Sequence, residues 1–325
     1  MNKYILIILL VILLSNPLVL ATEWVVRDAE IMGTTIHTEV WHEDVQIAQK
    51  AAQRVLEVME EINQGMSPYI EESELSLLNR IAGSQSVKVN DELFSIIDRS
   101  LYYSEITSGA FDITYASVGY LYNFRESVRP SQYQLTESLA GIDYQHISLN
   151  HEAKTVQYLH PNVRIDLGGI AKGYAVDKAI NEAVSLGIKN ILVSAGGDTR
   201  IVGDRQGRPW VIGVRHPIDK QRVIAKIPLA DEALSTSGDY ERYFDEDGVR
   251  YHHIIDPKTG DSARSVRAVT ILGPFAVDTD ALSTSVFVLG PEKGMKLVES
   301  LAEIEAIIVN QEGNLLYSSG LQNIE

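Results

Sequence analysis

DLGGIAKGYAVDKAI, residues 166–180, places one acid, three glycines and one lysine within eight residues, directly ahead of a helical pattern. Apolar residues recur from Val176 to Val184 at the spacing of one helix face, and Gly187 ends the pattern. The preceding VRIDLGG has the composition of a strand. The stretch therefore predicts a strand that turns through glycines into a helix.

The chemistry of this junction suits a phosphate group. Gly168, Gly169 and Gly173 let the backbone approach a ligand closely, and the helix that begins near Lys172 offers unpaired amides to an anion. The spacing matches neither a Walker loop nor the GxGxxG dinucleotide fingerprint. The alternative is a plain glycine turn with Lys172 in solvent.

The rest of the chain alternates short strands with helices. Residues 25–41 alternate as one or two strands, residues 44–62 follow a helical period, and two further helices are expected at 73–83 and 90–109. QHISLN and KTVQYL predict a strand pair, NILVSAGGD predicts a buried strand, and a helix is expected around Asp280–Leu289. This pattern predicts an α+β fold in one domain, or in two lobes.

Composition limits the function classes. The chain has 325 residues, no cysteine and a formal net charge of −16, which becomes 27 − 44 = −17 without residues 1–21. The absence of cysteine excludes disulfides, thiolate metal ligands and a lipid-bearing cysteine. A surface this acidic repels nucleic acid, and an anionic small ligand needs local cations or a metal.

The first 21 residues resemble a secretory signal peptide. Lys3 precedes an apolar run from Tyr4 to Leu14, and Val19 and Ala21 provide small residues ahead of a cut after position 21. The alternative is a retained membrane anchor. Either form predicts an exported protein, periplasmic or at the outer face of the inner membrane, with residues 22–325 as the functional domain.

Two further stretches carry polar groups suited to catalysis. In AVDTDALST (276–284), Asp280 and Thr284 lie four apart and share one helix face, as hard-oxygen ligands of Mg²⁺ would, although Asp278 or Asp280 could instead cap that helix. In HHIIDPKTG (252–260), His253 is a candidate general acid or base, or else a surface histidine.

A fourth stretch, TSGAFDITYASVG, presents Phe111 and Asp112 from a loop. An aromatic ring and a carboxylate there could hold a ligand ring and its polar edge. Packing of Phe111 into the core is the alternative.

These stretches occur together with others in one order between residues 31 and 290: IMGTTIHTEV, SPYIEESELSLLN, SGAFDIT, DLGGIAKGYAVD, VSAGGD, LSTSGDYERYF, HHIIDPKTG and VDTDALSTSVFVLG. The combination resembles the ApbE family of FAD:protein FMN transferases over essentially the whole chain after residue 21. The resemblance implies a single catalytic domain of mixed sheets with flanking helices around an FAD cleft.

The resemblance also implies an activity. Members use FAD and Mg²⁺ outside the cytoplasm and transfer FMN to a threonine or serine hydroxyl of a partner protein, with release of AMP. Recipients are flavin-carrying subunits of redox complexes such as the sodium-pumping NADH:quinone reductase (Nqr) and its Rnf relatives. Hydrolysis of FAD to FMN and AMP in the same site, and flavin binding without turnover, are the competing functions.

The matching motifs assign roles by position. His253 would assist proton transfer, or else an aspartate beside the metal, Asp280, would take the proton. The metal would be held by the Gly169 carbonyl with Asp280 and Thr284, and Ser283 stands where some relatives have an aspartate. The FAD site would be lined by Met32, Tyr69, Ala110, Phe111, Asp112, Asp166, Lys172 and Ile254.

Overall fold

The computed structural model describes residues 23–217 and 222–322. The signal-peptide prediction for residues 1–21 lies outside these ranges. Among the residues that the structure describes, no helix is both long and apolar enough to cross a membrane. The helices are α1 (Val45–Met66), α2 (Glu74–Ile81), α3 (Asp91–Ile106), α4 (Ala116–Gly119), α5 (Gln132–Leu139), α6 (Ala171–Ser185) and α7 (Ala276–Val298).

The strands form one large antiparallel sheet and three small ones. The large sheet has eight strands in the order β1-β2-β6-β7-β10-β13-β14-β15. The bounds are β1 (Val25–Ile31), β2 (Thr34–Trp41), β3 (Val87–Lys88), β4 (Ile147–Asn150), β5 (Thr155–Tyr158), β6 (Asn190–Ala195), β7 (Asp198–Val202), β8 (Trp210–Arg215), β9 (Val223–Leu229), β10 (Ala233–Gly238), β11 (Tyr243–Glu246), β12 (Val249–His252), β13 (Val266–Gly273), β14 (Glu305–Asn310) and β15 (Leu315–Tyr317). Strands β3, β5 and β4 form one small sheet, and β8–β9 and β11–β12 are hairpins. The mixture of helices and antiparallel strands confirms the predicted α+β class.

The large sheet is buried on both faces at its centre. Helices α1, α6 and α7 cover one face, where Ile191 and Val193 of β6 join the main core. Leu192 points the other way and packs in a second apolar cluster with Trp210 of the β8–β9 hairpin. Successive side chains of a strand alternate between faces, so burial on both sides explains the continuous apolar run of β6.

The stretch ahead of α6 is extended, but the prediction of a strand there was wrong. Residues 163–169 lie outside every strand. The Ile165 N–H donates to the side-chain oxygen of Asn79 at 2.9 Å, and the Asn79 amide donates back to the Ile165 carbonyl at 2.9 Å. The Asp166 N–H donates to the Ile113 carbonyl at 3.0 Å. A side chain thus provides the hydrogen bonds that a neighbouring strand would otherwise make.

Candidate active site

Lys172, the second residue of α6, lies between two buried aspartates. Its Nζ is 2.5 Å from the Asp198 carboxylate and 3.5 Å from both carboxylate oxygens of Asp280. Burial opposes the charged form, but Asp198 and then Asp280 raise the pKa of Lys172 above its usual range. Lys172 is therefore a fixed cation in a partly buried site, and the alternative of a solvated lysine does not apply.

Asp280 joins α7 to the glycine turn. Its side chain is 4% exposed and accepts the Gly173 N–H at 3.0 Å. Burial and the nearby Asp198 charge raise the pKa of Asp280, while Lys172 lowers it. Asp280 does not cap its own helix, which begins at Ala276, and Asp278 instead accepts hydrogen bonds from Arg99 and Tyr103 of α3.

The structure brings the three predicted metal ligands into one place. A Cβ on Gly169 would lie 3.3 Å from Thr284 Oγ1, so the bare backbone of Gly169 packs closely against Thr284. Thr284 lies one helical turn beyond Asp280 on α7. Ser237 of β10 supports this face, because its hydroxyl lies 2.8 Å from Ser283 Oγ and 3.4 Å from Thr284 Oγ1.

The oxygen atoms of these three residues suit Mg²⁺ as ligands. Within residues 23–217 and 222–322 there is no cluster of three or more histidine or acidic side chains suited to a metal. The predicted ligands are one carboxylate, one hydroxyl and one backbone carbonyl, and all three are hard oxygen ligands. Mg²⁺ is usually bound by only one or two carboxylates, and waters and substrate phosphates complete its coordination. Asp280, Thr284 and the Gly169 carbonyl would hold such an ion.

Two turns of the large sheet lie near this site. Met32 and Gly33 join β1 to β2 with positive φ angles of 56° and 70°, the geometry of a tight hairpin turn. Gly196 in the β6–β7 turn also has a positive φ, and a Cβ there would lie 2.5 Å from Thr34 Oγ1. Asp198 directly follows that turn. The Met32 turn and the Lys172–Asp198 ion pair therefore lie at the same end of the strands of the large sheet.

Tyr69, Asp166 and Arg242 form a second group. The Tyr69 side chain is 83% exposed, and the Arg242 guanidinium lies close enough to interact electrostatically with both Tyr69 and Asp166. Asp166 accepts the Gly168 N–H at 2.6 Å, and the Tyr115 hydroxyl lies nearby. Burial raises the pKa of Asp166. An exposed aromatic face beside an arginine and a carboxylate suits the ring and polar edge of a nucleotide.

The segment Ala110–Asp112, predicted to line the FAD site, is buried. Phe111 is 3% exposed and packs in the main core, edge-on to Tyr103. The carboxylate of Asp112 accepts hydrogen bonds from Thr114 and from the Tyr144 N–H. Burial raises the pKa of Asp112 to about 6. Ala110 is 5% exposed, and a Cβ on Gly169 would lie 3.3 Å from the Phe111 ring, so this ring packs against the Gly169 turn.

The paired histidines have different environments. His252 is 2% exposed, donates to the Ala263 carbonyl at 2.7 Å and accepts the Ile254 N–H at 3.3 Å, so it is a structural residue. His253 follows β12, and its buried Nδ1 has no hydrogen-bond partner among the described residues. Burial, then the charges of Arg242, His252 and Lys172, lower the pKa of His253 to about 3. His253 is thus a neutral imidazole at the site, beside the buried Ile254.

The burial of His252 predicts a pH dependence of stability. Burial lowers its pKa to about 4 from an unfolded value of 6.5. Between these values the unfolded chain binds a proton at His252 that the folded protein does not, so the contribution of His252 to the free energy of unfolding falls as pH falls through this window, by up to about 1.4 kcal/mol per unit. We expect His252→Gln to flatten this fall, as measured by urea denaturation at each pH. His151→Gln, at a side chain 65% exposed, controls for loss of an imidazole. Equal slopes for the His252 variant and the unmodified protein would contradict the assignment.

Three polar residues of the site, Asp198, Ser237 and Arg242, were not predicted from the sequence. Asp198 lies in VSAGGD, and both Ser237 and Arg242 lie in LSTSGDYERYF, two of the stretches that carry the family resemblance. Their role depends on the order of β6, β7 and β10 in the sheet. An acid directly after a glycine pair in a buried strand was the available signal for Asp198.

Comparisons with known proteins find similar sequences that span most of this chain. The model of the ApbE family matches residues 32–308. The chain is 34% identical over 279 residues to the FAD:protein FMN transferase of Vibrio cholerae serotype O1, covering 83% of this chain and 82% of that protein. It is 32% identical over 292 residues to the enzyme of the same name from Haemophilus influenzae, covering 86% and 84%.

Solved structures show the same fold. The crystal structure of the ApbE protein from Thermotoga maritima has a TM-score of 0.86 at 36% identity, covering 92% of this chain and 98% of that one. The flavin transferase ApbE from Vibrio cholerae has a TM-score of 0.83 at 31% identity, covering 94% and 100%.

Proposed function

The chain belongs to the ApbE family, and from that membership we propose that it is an FAD:protein FMN transferase. In this proposal the enzyme transfers FMN to a threonine or serine hydroxyl of a partner protein. Mg²⁺ is the cofactor, and AMP is the second product. One observation supports this proposal above the others. Lys172 is held as a cation between Asp198 and Asp280, beside a glycine turn that approaches Thr284.

The reaction requires charge neutralisation more than covalent help. The acceptor oxygen forms a bond to the FMN-side phosphorus, the bond from that phosphorus to the bridging oxygen breaks, and AMP leaves with the electron pair. Bound Mg²⁺ would supply positive charge to the phosphate oxygens. Lys172 supplies the fixed cation on the protein side, and Arg242 adds a second near Asp166. Together with a bound metal ion, these two cations would offset the charges of Asp198 and Asp280 and the net charge of −16, which otherwise repel an anionic ligand.

The acceptor hydroxyl must lose its proton as the bond forms. His253 is the base in this proposal, because its imidazole is neutral and its Nδ1 lacks a hydrogen-bond partner within the described ranges. A bound diphosphate would oppose the cationic charges of Arg242 and Lys172 that keep the imidazole neutral, and so raise its proton affinity. General-base assistance typically contributes about 10²- to 10⁴-fold to the rate.

Two parts of the proposal concern the cellular setting. We propose export of the chain through residues 1–21, and an acceptor of the Nqr or Rnf type, as the family resemblance implies. N-terminal sequencing of the protein recovered from the periplasm tests the first. Flavin fluorescence on a denaturing gel of each candidate acceptor tests the second.

A single incubation tests the activity itself. The protein is mixed with FAD, Mg²⁺ and a recipient flavoprotein domain, and covalent flavin on the recipient is measured together with free AMP. Equal amounts of both products are expected. AMP and FMN without labelled recipient would indicate hydrolysis, and retained FAD with neither product would indicate a binding protein; either result would overturn the transferase proposal.

A further inference from the structure

Helices α6 and α7 both begin without a capping side chain of their own. The residues that precede them, Ile170 and Phe275, make no side-chain hydrogen bond to the first turn. The first backbone N–H groups of a helix have no partner within the helix and need an acceptor when buried. Ala276 is fully buried and Gly173 is buried, so their N–H groups need partners from elsewhere in the fold.

Each helix is capped by an aspartate of the other. Asp280 of α7 accepts the Gly173 N–H of α6 at 3.0 Å. In return, Asp177 of α6 accepts the N–H groups of Ala276 and Val277 of α7 at 3.0 and 2.9 Å. On each helix the donor lies four residues before the acceptor, so donor and acceptor share one face. The two helix starts therefore lie antiparallel and hold each other in one register.

Asp177 also carries an ion pair that reaches the sheet. Its Oδ1 lies 2.9 Å from Arg200 Nη1, and the two side chains are 10% and 13% exposed. Arg200 lies two residues after Asp198 on β7, and its guanidinium stacks over the Phe275 ring at 4.9 Å. Asp177 thereby ties the start of α7 to the strand that carries the partner of Lys172.

We propose that Asp177 is a positioning residue for the metal and diphosphate site, and this inference rests on the proposed function. Among the described residues its hydrogen bonds go to Arg200, Ala276 and Val277 and not to Asp280 or Thr284, but they fix the first turn of the helix from which both project. Asp280 lies one turn after Ala276, and Thr284 one turn further. A shift of α7 against α6 would move both groups away from Gly169 and Lys172.

An Asp177→Asn variant separates this role from packing, because it keeps the shape of the side chain. One carboxylate oxygen becomes an amide that donates, so either Ala276 or Val277 loses its acceptor and Arg200 loses its counter-charge. Outer-shell partners of metal ligands typically contribute about 10- to 100-fold to metal affinity. We expect the Kd for Mn²⁺, used as a probe by electron paramagnetic resonance with FAD present, to rise by that factor.

Two comparisons separate positioning from general destabilisation. FAD binding without metal, followed by flavin fluorescence, is expected to change less than about twofold. Asp278→Asn removes the same kind of acid–arginine pair in the first turn of α7, where Asp278 contacts Arg99 of α3 and not α6, and is expected to leave the Mn²⁺ Kd unchanged. Equal Mn²⁺ binding by Asp177→Asn and the unmodified protein overturns this inference alone. No Mn²⁺ binding by the unmodified protein overturns the proposed function as well.

Hydrogen exchange tests the same coupling without any variant. If Asp177 links the α7 start to the metal ligands, addition of Mn²⁺ and FAD to the unmodified protein must slow exchange over residues 275–281. Unchanged exchange in this segment, with Mn²⁺ bound, overturns the inference even if the Asp177 variant does not fold.

Discussion

Asp280→Ala is expected to lower Mg²⁺-dependent flavin transfer by roughly 10²- to 10³-fold or more, because it removes the only carboxylate of the proposed metal site. The loss should not reflect unfolding alone. Lys172 keeps Asp198 as its partner at 2.5 Å, so no buried charge is left without compensation. The measurement is the initial rate of covalent flavin on a recipient domain as Mg²⁺ is titrated.

Two variants sharpen this prediction. Asp280→Asn keeps an acceptor for the Gly173 N–H but removes the charge, so it should fold normally and still fail to respond to Mg²⁺. Asp278→Asn changes the same residue type on the same helix, where the side chain contacts α3 instead, and should retain transfer. Full flavinylation by Asp280→Ala in Mg²⁺ would refute the assignment.

Gly173→Ala is expected to destabilise the fold by about 1–3 kcal/mol and to impair transfer together with it. The added Cβ would lie 2.1 Å from the Ala276 carbonyl oxygen and 2.8 Å from Asp280 Cβ. The first of these atoms is backbone, so α6 and α7 must separate to make room. Because Asp280 projects from the displaced helix, the Mg²⁺ response should weaken as well. Urea denaturation and the transfer assay measure the two effects.

Gly65 provides the matched control. It also lies in a helix, near the end of α1, but a Cβ there would meet nothing within 4 Å. Gly65→Ala should therefore be neutral, or more stable by up to about 1 kcal/mol, since alanine restricts the unfolded chain and favours helix. A Gly173→Ala protein as stable and active as Gly65→Ala would show that the two helices are not in close contact.

Much of the fold follows from local patterns. The strand pair β4–β5 and the helices α1 to α3 are where apolar periodicity and capping residues predict them, because those signals act within a few residues. Ser73 and Asn90 cap α2 and α3 through their own side chains. The start of α7 was missed by four residues, since its cap is Asp177, about a hundred residues earlier in the chain.

The sequence by itself determined the α+β class, the glycine turn before α6, and the pairing of Asp280 with Thr284 on one helix face, because each depends on spacing within one element. Only the tertiary structure decided that Lys172 is held between Asp198 and Asp280, and that Asp280 caps α6 and not its own helix. Contacts between residues a hundred positions apart depend on strand order and helix register, which local spacing does not encode.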